Sequence, residues 1–562
     1  MTKNEPPSRI TIWVLIATLI WCAIPLSPNT VDSDFWGHVQ YGQDTLDHGL
    51  SYTSTYTFTA EGYRWINHEN LSEVIFGWIV RHLGTQFVLI LKCLCGCLVI
   101  GLIMQNAFRK RVSTPLIAVA SIIVAINLSF YWGVRPQFFS FTFFAILLAF
   151  DEKRLQIDQL TESNTRSIIV RLLLVFSIFF AWTNTHGGFV AGVAVFCVLM
   201  AGRSLICLAR KPKNVRLSGI YVALAGITLA ATLINPYGIN LHLWLFESLR
   251  IPRPEIAEWH APDLLTVGSL KIWAVILLSA LSFSFSRIKK DALQIIVFTL
   301  VLSQTLSHQR HLPFLCILFG FWVPQHLNDF AKRLFGSPTF QASPRPDSLA
   351  MKLSLGIILI FGTIHGIQVA NRLKPITVST ERYPVDAVQF MKDHDLSGRI
   401  VASGEWAQYL IGVAGARTPA DQGLRVAFDG RFRTCYPQTV VDMHFDFFAK
   451  DSDFKNRYRS AESKDFNPAK VLSYEQPQLV LIKDDEFRSI WTLQENSADW
   501  TCLYRDGVAQ LWGRTELYDD RLSADYLKEA DRVNTEIAQR DVQWPGAPQS
   551  SLITHRVSIR ND

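Results

Sequence analysis

The chain has 562 residues and a formal net charge of +6, with 49% apolar and 18% charged residues, 37 Phe and 16 Trp. Hydropathy divides sharply near residue 370, with long apolar runs before it and a charged, mixed sequence after it. That division excludes a soluble enzyme, a coiled coil and a disordered chain, and leaves a polytopic helical membrane protein with a sizeable polar tail.

Apolar runs at 10–28, 85–107, 114–131, 137–150, 167–184, 188–208, 217–234, 268–286, 291–306, 312–325 and 351–370 predict about eleven transmembrane helices. The breaks between them alternate. One set carries Arg109 to Arg111, Lys153 and Arg154, Arg210 to Lys213, Arg287 to Lys290, and Lys332 and Arg333. The other holds only Arg135, nothing basic around Thr185, then Arg250, Arg253 and Arg310. By the positive-inside rule the N-terminus is cytoplasmic, and an odd count of spans places residues 371–562 outside. The expected location is a bacterial inner (plasma) membrane. The first span is expected to be retained, because it is long, lacks a small-x-small cleavage site, and has Trp21 before Cys22. Gly188 and Gly192, four residues apart, predict a close-packing helix face.

Most cysteines lie in or beside the apolar runs as small hydrophobes, and Cys93, Cys95 and Cys97 alternate in a way that faces no common site on a helix. Cys435 and Cys502, in the tail, leave one disulfide open for an extracytoplasmic domain.

The first long break, 31–84, is the most informative. Asp32 and Asp34 follow the first span directly. Residues 35–48 predict a short interfacial helix, and Ser51 to Thr59 reads as extended. Asn67 is expected to cap a second amphipathic helix with Leu71, Val74, Ile75 and Trp78 on its apolar side. Later breaks on the same predicted side carry Arg135-Pro136-Gln137, Asn184-Thr185-His186-Gly187-Gly188, Asn235-Pro236-Tyr237-Gly238, Glu258-Trp259-His260 and His308-Gln309-Arg310-His311. Ionisable groups at membrane depth are costly and ordinarily face a bundle interior or a wet cavity, so their recurrence predicts one shared polar chamber.

The string Asp32-Ser33-Asp34-Phe35-Trp36-Gly37-His38, continued by Tyr56 to Thr59, Trp65, His68-Glu69 and Leu71-Ser72-Glu73, resembles the GT-C superfamily of membrane glycosyltransferases and a bacterial branch of it. Arg135-Pro136, the Asn184 and Asn235 strings and Phe428-Asp429-Gly430-Arg431 extend the resemblance over most of the chain. It implies transfer of a sugar, with inversion, from a polyprenyl-phosphate donor to a lipid, glycan or protein acceptor. It implies Asp34 as the base, with Asp32 its rival, since an attacking hydroxyl must lose its proton to a group within reach. Glu69, His68 and His38 then bind acceptor or orient one another. Arg135, His186, Arg310 and His311 would handle the leaving phosphate, and Asn184, Asn235 and Glu258 would line the pocket. Because protein cations can do this work a metal is not compulsory, although Asp32, Asp34, His38 and His68 form an oxygen and nitrogen ligand set for a divalent ion.

Carboxylates at i and i+2 do not promise the facing geometry of a glycosidase, and no nucleotide fingerprint occurs. The partners expected are the lipid-linked donor and membrane lipid, with no nucleic acid. A transporter or flippase, or a non-catalytic envelope assembly protein, is the alternative; polar residues confined to span ends and the lack of an inverted repeat favour the enzyme.

In the tail, Val385 to His394 predicts a helix, Arg399 to Ser403, Leu424 to Phe428 and Gln478 to Ile482 predict strands, and 484–496 a further helix. Asp506-Gly507 predicts a hairpin between Trp500 to Tyr504 and Val508 to Trp512. Asp429-Gly430-Arg431 reads as a turn with a structural ion pair, the alternative being an acceptor contact, and Glu405-Trp406 as a helix start, the alternative being a sugar-stacking site. The domain organisation expected is a GT-C-like transmembrane block over 1–370, an extracytoplasmic α/β domain over 371–540 with 517–540 helical, and a flexible tail over 541–562.

Overall fold

The computed structural model describes residues 9–210, 212–336, 349–448, 458–534 and 542–546. In chain order the first helices are α1 (Arg9–Ala23), α2 (Asp34–His48), α3 (Asn70–His82), α4 (Thr85–Arg109), α5 (Thr114–Ser129), α6 (Gln137–Arg154) and α7 (Ile157–Thr161). Next come α8 (Thr165–Thr185), α9 (Phe189–Ala209), α10 (Val215–Thr232), α11 (Ile239–Arg250), α12 (Leu270–Phe285), α13 (Ala292–Ser307), α14 (Leu312–Phe335) and α15 (Leu349–Arg372). The C-terminal region continues with β1 (Thr377–Val378), α16 (Val385–Asp393), β2 (Gly398–Ala402), α17 (Gly404–Ala414), β3 (Leu424–Val426), α18 (Gln438–Phe448) and α19 (Lys470–Ser473). It closes with β4 (Leu479–Lys483), α20 (Phe487–Glu495), β5 (Trp500–Arg505), β6 (Ala509–Arg514), α21 (Thr515–Tyr518), β7 (Val533–Asn534) and β8 (Val542–Gln543).

Every apolar run of the sequence forms a helix, and among the described residues six helices are long and apolar enough to cross a membrane: α4, α8, α9, α10, the stretch Val267–Phe285 containing α12, and Lys352–Arg372 within α15. Helices α1, α5 and α13 are apolar but shorter. At 1.5 Å per residue a 16-residue helix spans about 24 Å, less than a hydrocarbon core of about 30 Å. Helix α6 ends in Asp151, Glu152, Lys153 and Arg154, and α14 carries Pro324, His326, Asn328 and Asp329.

By its contacts the chain divides into two compact units. The first comprises Met1–Asn29, Gln86–Leu241 and Ile256–Lys374. Its best-buried helix is α14, where Gly320 lets Ile103 of α4 approach so closely that a Cβ would meet it at 2.7 Å. The Gly192 face expected from sequence also packs tightly, against the Trp182 ring. Two ion pairs tie α6 to its neighbours: in a buried one Arg203 of α9 grips Asp151 with both terminal nitrogens, and in a partly exposed one Lys110 Nζ meets Glu152 Oε2 at 2.9 Å.

The second unit comprises Thr30–Thr85, His242–Glu255 and Pro375–Asp562. The loop 31–84, expected to belong with the transmembrane block, therefore folds with the tail. The physical reason is aromatic burial. Trp36 of α2, fully buried, stacks on Trp544 with centroids 4.8 Å apart, packs against Tyr383 and Tyr409, and donates Nε1–H to the Pro545 carbonyl at 2.9 Å. Burying one such ring contributes on the order of 2–3 kcal/mol.

The tail carries a mixed six-stranded sheet in the order β3-β2-β4-β6-β5-β7, with β2 parallel to β3 and β4 and β6 antiparallel to β4 and β5. All the predicted strands are found here, and the β5–β6 hairpin turns on Asp506, whose Oδ1 accepts from the N–H of Val508 and of Ala509 at 2.7 Å. A second, two-stranded sheet pairs β1 with β8 antiparallel.

Several expectations need correction. Residues 517–534 are not one helix: α21, a 3-10 turn over Glu529–Asp531 and β7 replace it, and β7 is held by pairing with β5; residues 535–541 lie outside the described residues. Within 541–562, residues 542–546 are fixed by the β1 pairing and the Trp36 stack, while 547–562 lie outside the described residues. Cys435 and Cys502 are free thiols. On α3 the face packed within the unit is Ser72, Glu73, Phe76 and Gly77, and the expected apolar side, with Trp78 exposed, lies opposite it. Glycine decides that face, because Gly42 of α2 lies against the Glu73 carbonyl and Gly77 against the backbone of Gln43, an approach that any Cβ would block. The cap also differs: α3 begins at Asn70, and Asn67 instead turns the preceding backbone by accepting the Glu69 N–H at 3.0 Å.

Candidate active site

In the second unit the two aspartates after α1 have separate tasks. Asp32 Oδ1 accepts the N–H of Asp34 at 3.1 Å and the Asp32 carbonyl accepts from Phe35 at 3.0 Å, so Asp32 organises the first turn of α2. A carboxylate there satisfies an amide that a helix N-terminus otherwise leaves open. Asp34, half-buried, directs its carboxylate to the turn at Gly430: a Cβ on Gly430 would lie 2.7 Å from Asp34 Oδ1 and 2.8 Å from Gln408 Nε2.

That turn is rigid. Arg431 holds Asp429 bidentately (Nε to Oδ1 2.9 Å, Nη2 to Oδ2 2.8 Å), Tyr436 OH donates to Asp429 Oδ2 at 2.6 Å, and Arg431 Nη2 donates to the Thr55 carbonyl at 2.6 Å. The guanidinium lies against both the Tyr41 and Trp65 rings, 4.5 and 4.7 Å from their centroids. Burial opposes its charge, but Asp429 outweighs burial and holds Arg431 well above the ordinary arginine value. The structural ion pair expected at Asp429-Gly430-Arg431 is thus observed, fully buried. Tyr41 completes the frame by donating its OH to Gln408 Oε1 at 3.1 Å.

One helical turn beyond Asp34, His38 Nδ1 lies 3.1 Å from Glu73 Oε1, and Asn67 Nδ2 donates to Glu73 Oε2 at 2.6 Å. Burial pulls the His38 imidazole down, but the Glu73 hydrogen bond and the charges of Glu69, Glu73 and Asp34 push it up to about 9. At neutral pH His38 is an imidazolium paired with Glu73. His38, Glu69 and Glu73 each present a ligand atom within 4.8 Å of the others. Among the described residues this is the group that could hold a metal ion, and of the set expected from sequence (Asp32, Asp34, His38, His68) it retains His38 alone. The difference follows from α2–α3 packing, which turns Glu69 and Glu73 toward His38. One imidazole and two carboxylates suit a divalent ion of the manganese or zinc type, which would replace the His38 proton. His68 instead packs on Trp244, centroids 5.3 Å apart, with Glu69 Oε1 at 4.0 Å.

The first unit holds the seven other expected residues. Arg135 Nη1 donates to Glu258 Oε1 at 3.1 Å, and Arg310 lies over the Trp259 ring at 4.4 Å. The adjacent turn is tied down by the Gln309 N–H, donated to the His260 carbonyl at 2.9 Å. Burial, with Arg310 and His308 nearby, lowers His311 to about 4, so this imidazole is neutral. His186 Nδ1 receives the Gly188 N–H at 3.0 Å and lies 2.7 Å from Ser140 Oγ, which accepts from the Trp182 indole. The Gly188 N–H makes Nδ1 an acceptor and puts the ring proton on Nε2. Asn184 and Asn235 hold backbone: Asn184 Nδ2 donates to the Phe180 and Ile234 carbonyls, and Asn235 closes its own turn through Thr232, Tyr237 and Gly238.

Sequence reasoning missed Gln408, Tyr41 and Gly430 as parts of the Asp34 environment, and Glu73 as the partner of His38. Gly430 carried a signal in the Asp-Gly-Arg string; Gln408 carried none.

No protein-family model matches the chain, and no curated protein matches it. The likeness is three-dimensional. The chain shares its fold with an oligosaccharyltransferase from Archaeoglobus fulgidus. Against the apo crystal structure of that protein the TM-score is 0.51 at 11% identity, over 84% of this chain and 69% of that one. ArnT from Cupriavidus metallidurans bound to undecaprenyl phosphate aligns with a TM-score of 0.48 at 10% identity, over 92% of this chain and 99% of that one. At 11% identity that likeness shows the fold alone.

Proposed function

We propose that this protein is an integral-membrane glycosyltransferase that moves a sugar from a polyprenyl phosphate to an acceptor hydroxyl on a lipid, glycan or protein, with inversion. The observation that carries the reading is the Asp34 carboxylate, half-buried at the start of α2 and set against Gly430, a turn residue with no side chain. Asp34 accepts the acceptor's proton as its oxygen bonds to the anomeric carbon; the bond from that carbon to the phosphate oxygen breaks, and the lipid phosphate departs with the electron pair. Asp32 serves the helix start rather than the proton. The fold shared with an oligosaccharyltransferase supports sugar transfer, and the resemblance of the first loop supports the polyprenyl-phosphate donor.

Handling of the leaving phosphate is assigned to Arg135, Arg310, His186 and His311 of the first unit, where Arg310 supplies charge and neutral His311 a hydrogen bond. Once His38 has lost its proton, His38, Glu69 and Glu73 would hold a divalent ion, which when bound supplies Lewis-acid stabilisation of phosphate charge. The topology we propose has eleven spans in a bacterial inner membrane, a cytoplasmic N-terminus, and the C-terminal domain outside.

Asp34→Asn is the decisive variant. Removing a positioned base should lower transfer by about 100-fold or more while leaving expression and unfolding temperature unchanged. Near-normal turnover removes the assignment. A phosphatase reporter fused after Arg372 should be active, and a reporter active only in the cytoplasm reverses the topology.

A further inference from the structure

The turn that meets Asp34 continues into a second polar site. Three residues past Gly430, Arg433 lies in the 3-10 turn Phe432–Thr434, within roughly 6–11 Å of Gly430 along the chain. Its Nη2 meets Glu255 Oε1 at 3.2 Å, and its Nε donates to Gln438 Oε1 at 2.6 Å. Gln438 is itself oriented by donating to Asp442 Oδ1 at 2.8 Å. Both members of the ion pair are deeply buried, with side chains 8% and 3% exposed. Each nevertheless has one atom unused: among the described residues, Arg433 Nη1 and Glu255 Oε2 are buried and have no hydrogen-bond partner.

Buried polar atoms in folded proteins are satisfied in the great majority of cases, and a charged pair left half-satisfied is especially unfavourable. The spare atoms are one donor and one acceptor on an already neutral pair. A phosphate oxygen at Arg433 would meet the negative charge of Glu255, and a cation at Glu255 would meet Arg433. A neutral hydroxyl carries both an acceptor and a donor on a single oxygen, and so matches the two spare atoms in kind without adding charge. We infer that Arg433 and Glu255 form a hydroxyl-binding subsite for the sugar carried by the lipid phosphate. The inference rests on the transferase reading, and its position suits it: the sugar undergoing attack must lie beside the base, and this pair follows directly on the turn against which Asp34 is set.

The test uses the full chain in lipid nanodiscs and measures affinity for undecaprenyl phosphate and for a panel of undecaprenyl-phosphate hexoses and pentoses. The wild type should bind at least one sugar-bearing lipid more tightly than the bare lipid. Glu255→Gln, which keeps shape, and Arg433→Lys, which keeps charge, should each reduce that preference tenfold or more, with affinity for bare undecaprenyl phosphate within twofold of wild type. Preference retained in both variants, equal loss for both kinds of lipid, or a wild type without preference overturns the subsite. A wild type that binds neither kind removes the transferase reading and the subsite together, whereas bare-lipid binding with unchanged preference removes the subsite alone.

Discussion

Asp34 and Gly430 are in direct apposition: the carboxylate Oδ1 occupies space that a Cβ at Gly430 would approach to 2.7 Å. Glycine is required there by proximity to a functional group, because the positive-φ glycines of this chain are at other positions. Asp429 and Arg431, on either side, brace the turn through their bidentate pair.

Gly430→Ala should therefore displace the Asp34 carboxylate or the Gln408 amide without unfolding the domain. The expected result is a fall in kcat of about tenfold to 100-fold, the scale reported for misplacing a reacting group by about 1 Å, with unfolding temperature close to wild type. Steady-state transfer kinetics check this. Unchanged kcat would mean that the side chain moves aside at no cost to the reaction.

His38 makes stability depend on pH. Its folded-state value, about 9, lies above the ordinary imidazole value of 6.5, so its contribution is complete below about pH 6.5 and is lost as pH rises through about 9. Unfolding temperature should fall between pH 7 and 10 in the wild type and fall less in His38→Gln. Identical pH dependence in the two proteins would show that the imidazolium contributes nothing.

The same proton competes with a metal. At pH 7, millimolar manganese should leave the unfolding temperature unchanged, since His38 is held as an imidazolium by Glu73. At pH 9 manganese should raise it, and Glu69→Gln should abolish that rise. An equal rise at both pH values would mean that the ion displaces the proton outright.

In the first unit, Asp151→Asn leaves the Arg203 guanidinium buried without its counter-charge. Breaking one side of such a pair destabilises by about 3–5 kcal/mol, whereas replacing both partners with apolar residues of similar volume is far milder. Unfolding in detergent, comparing Asp151→Asn with an Asp151→Leu, Arg203→Met double variant, measures the difference; a loss below about 1 kcal/mol in the single variant contradicts the account.

Local pattern by itself determined the elements: apolar runs became helices, alternation and Asp506-Gly507 became the β5–β6 hairpin, and acids after the first span became the start of α2. These depend on residues near one another in sequence, where periodicity and turn chemistry act directly. Only tertiary packing decided which acid faces which partner. Tyr41 and Gln408, 367 residues apart, meet because Trp36 and Gly37 sink α2 against α17, and Glu73 reaches His38 because two glycines let α3 lie on α2. A side chain's direction depends on the surface it is packed against, and no nearby sequence signal carries that surface. For the same reason Asn184 and Asn235, polar residues in suggestive strings, proved to be bonded to backbone.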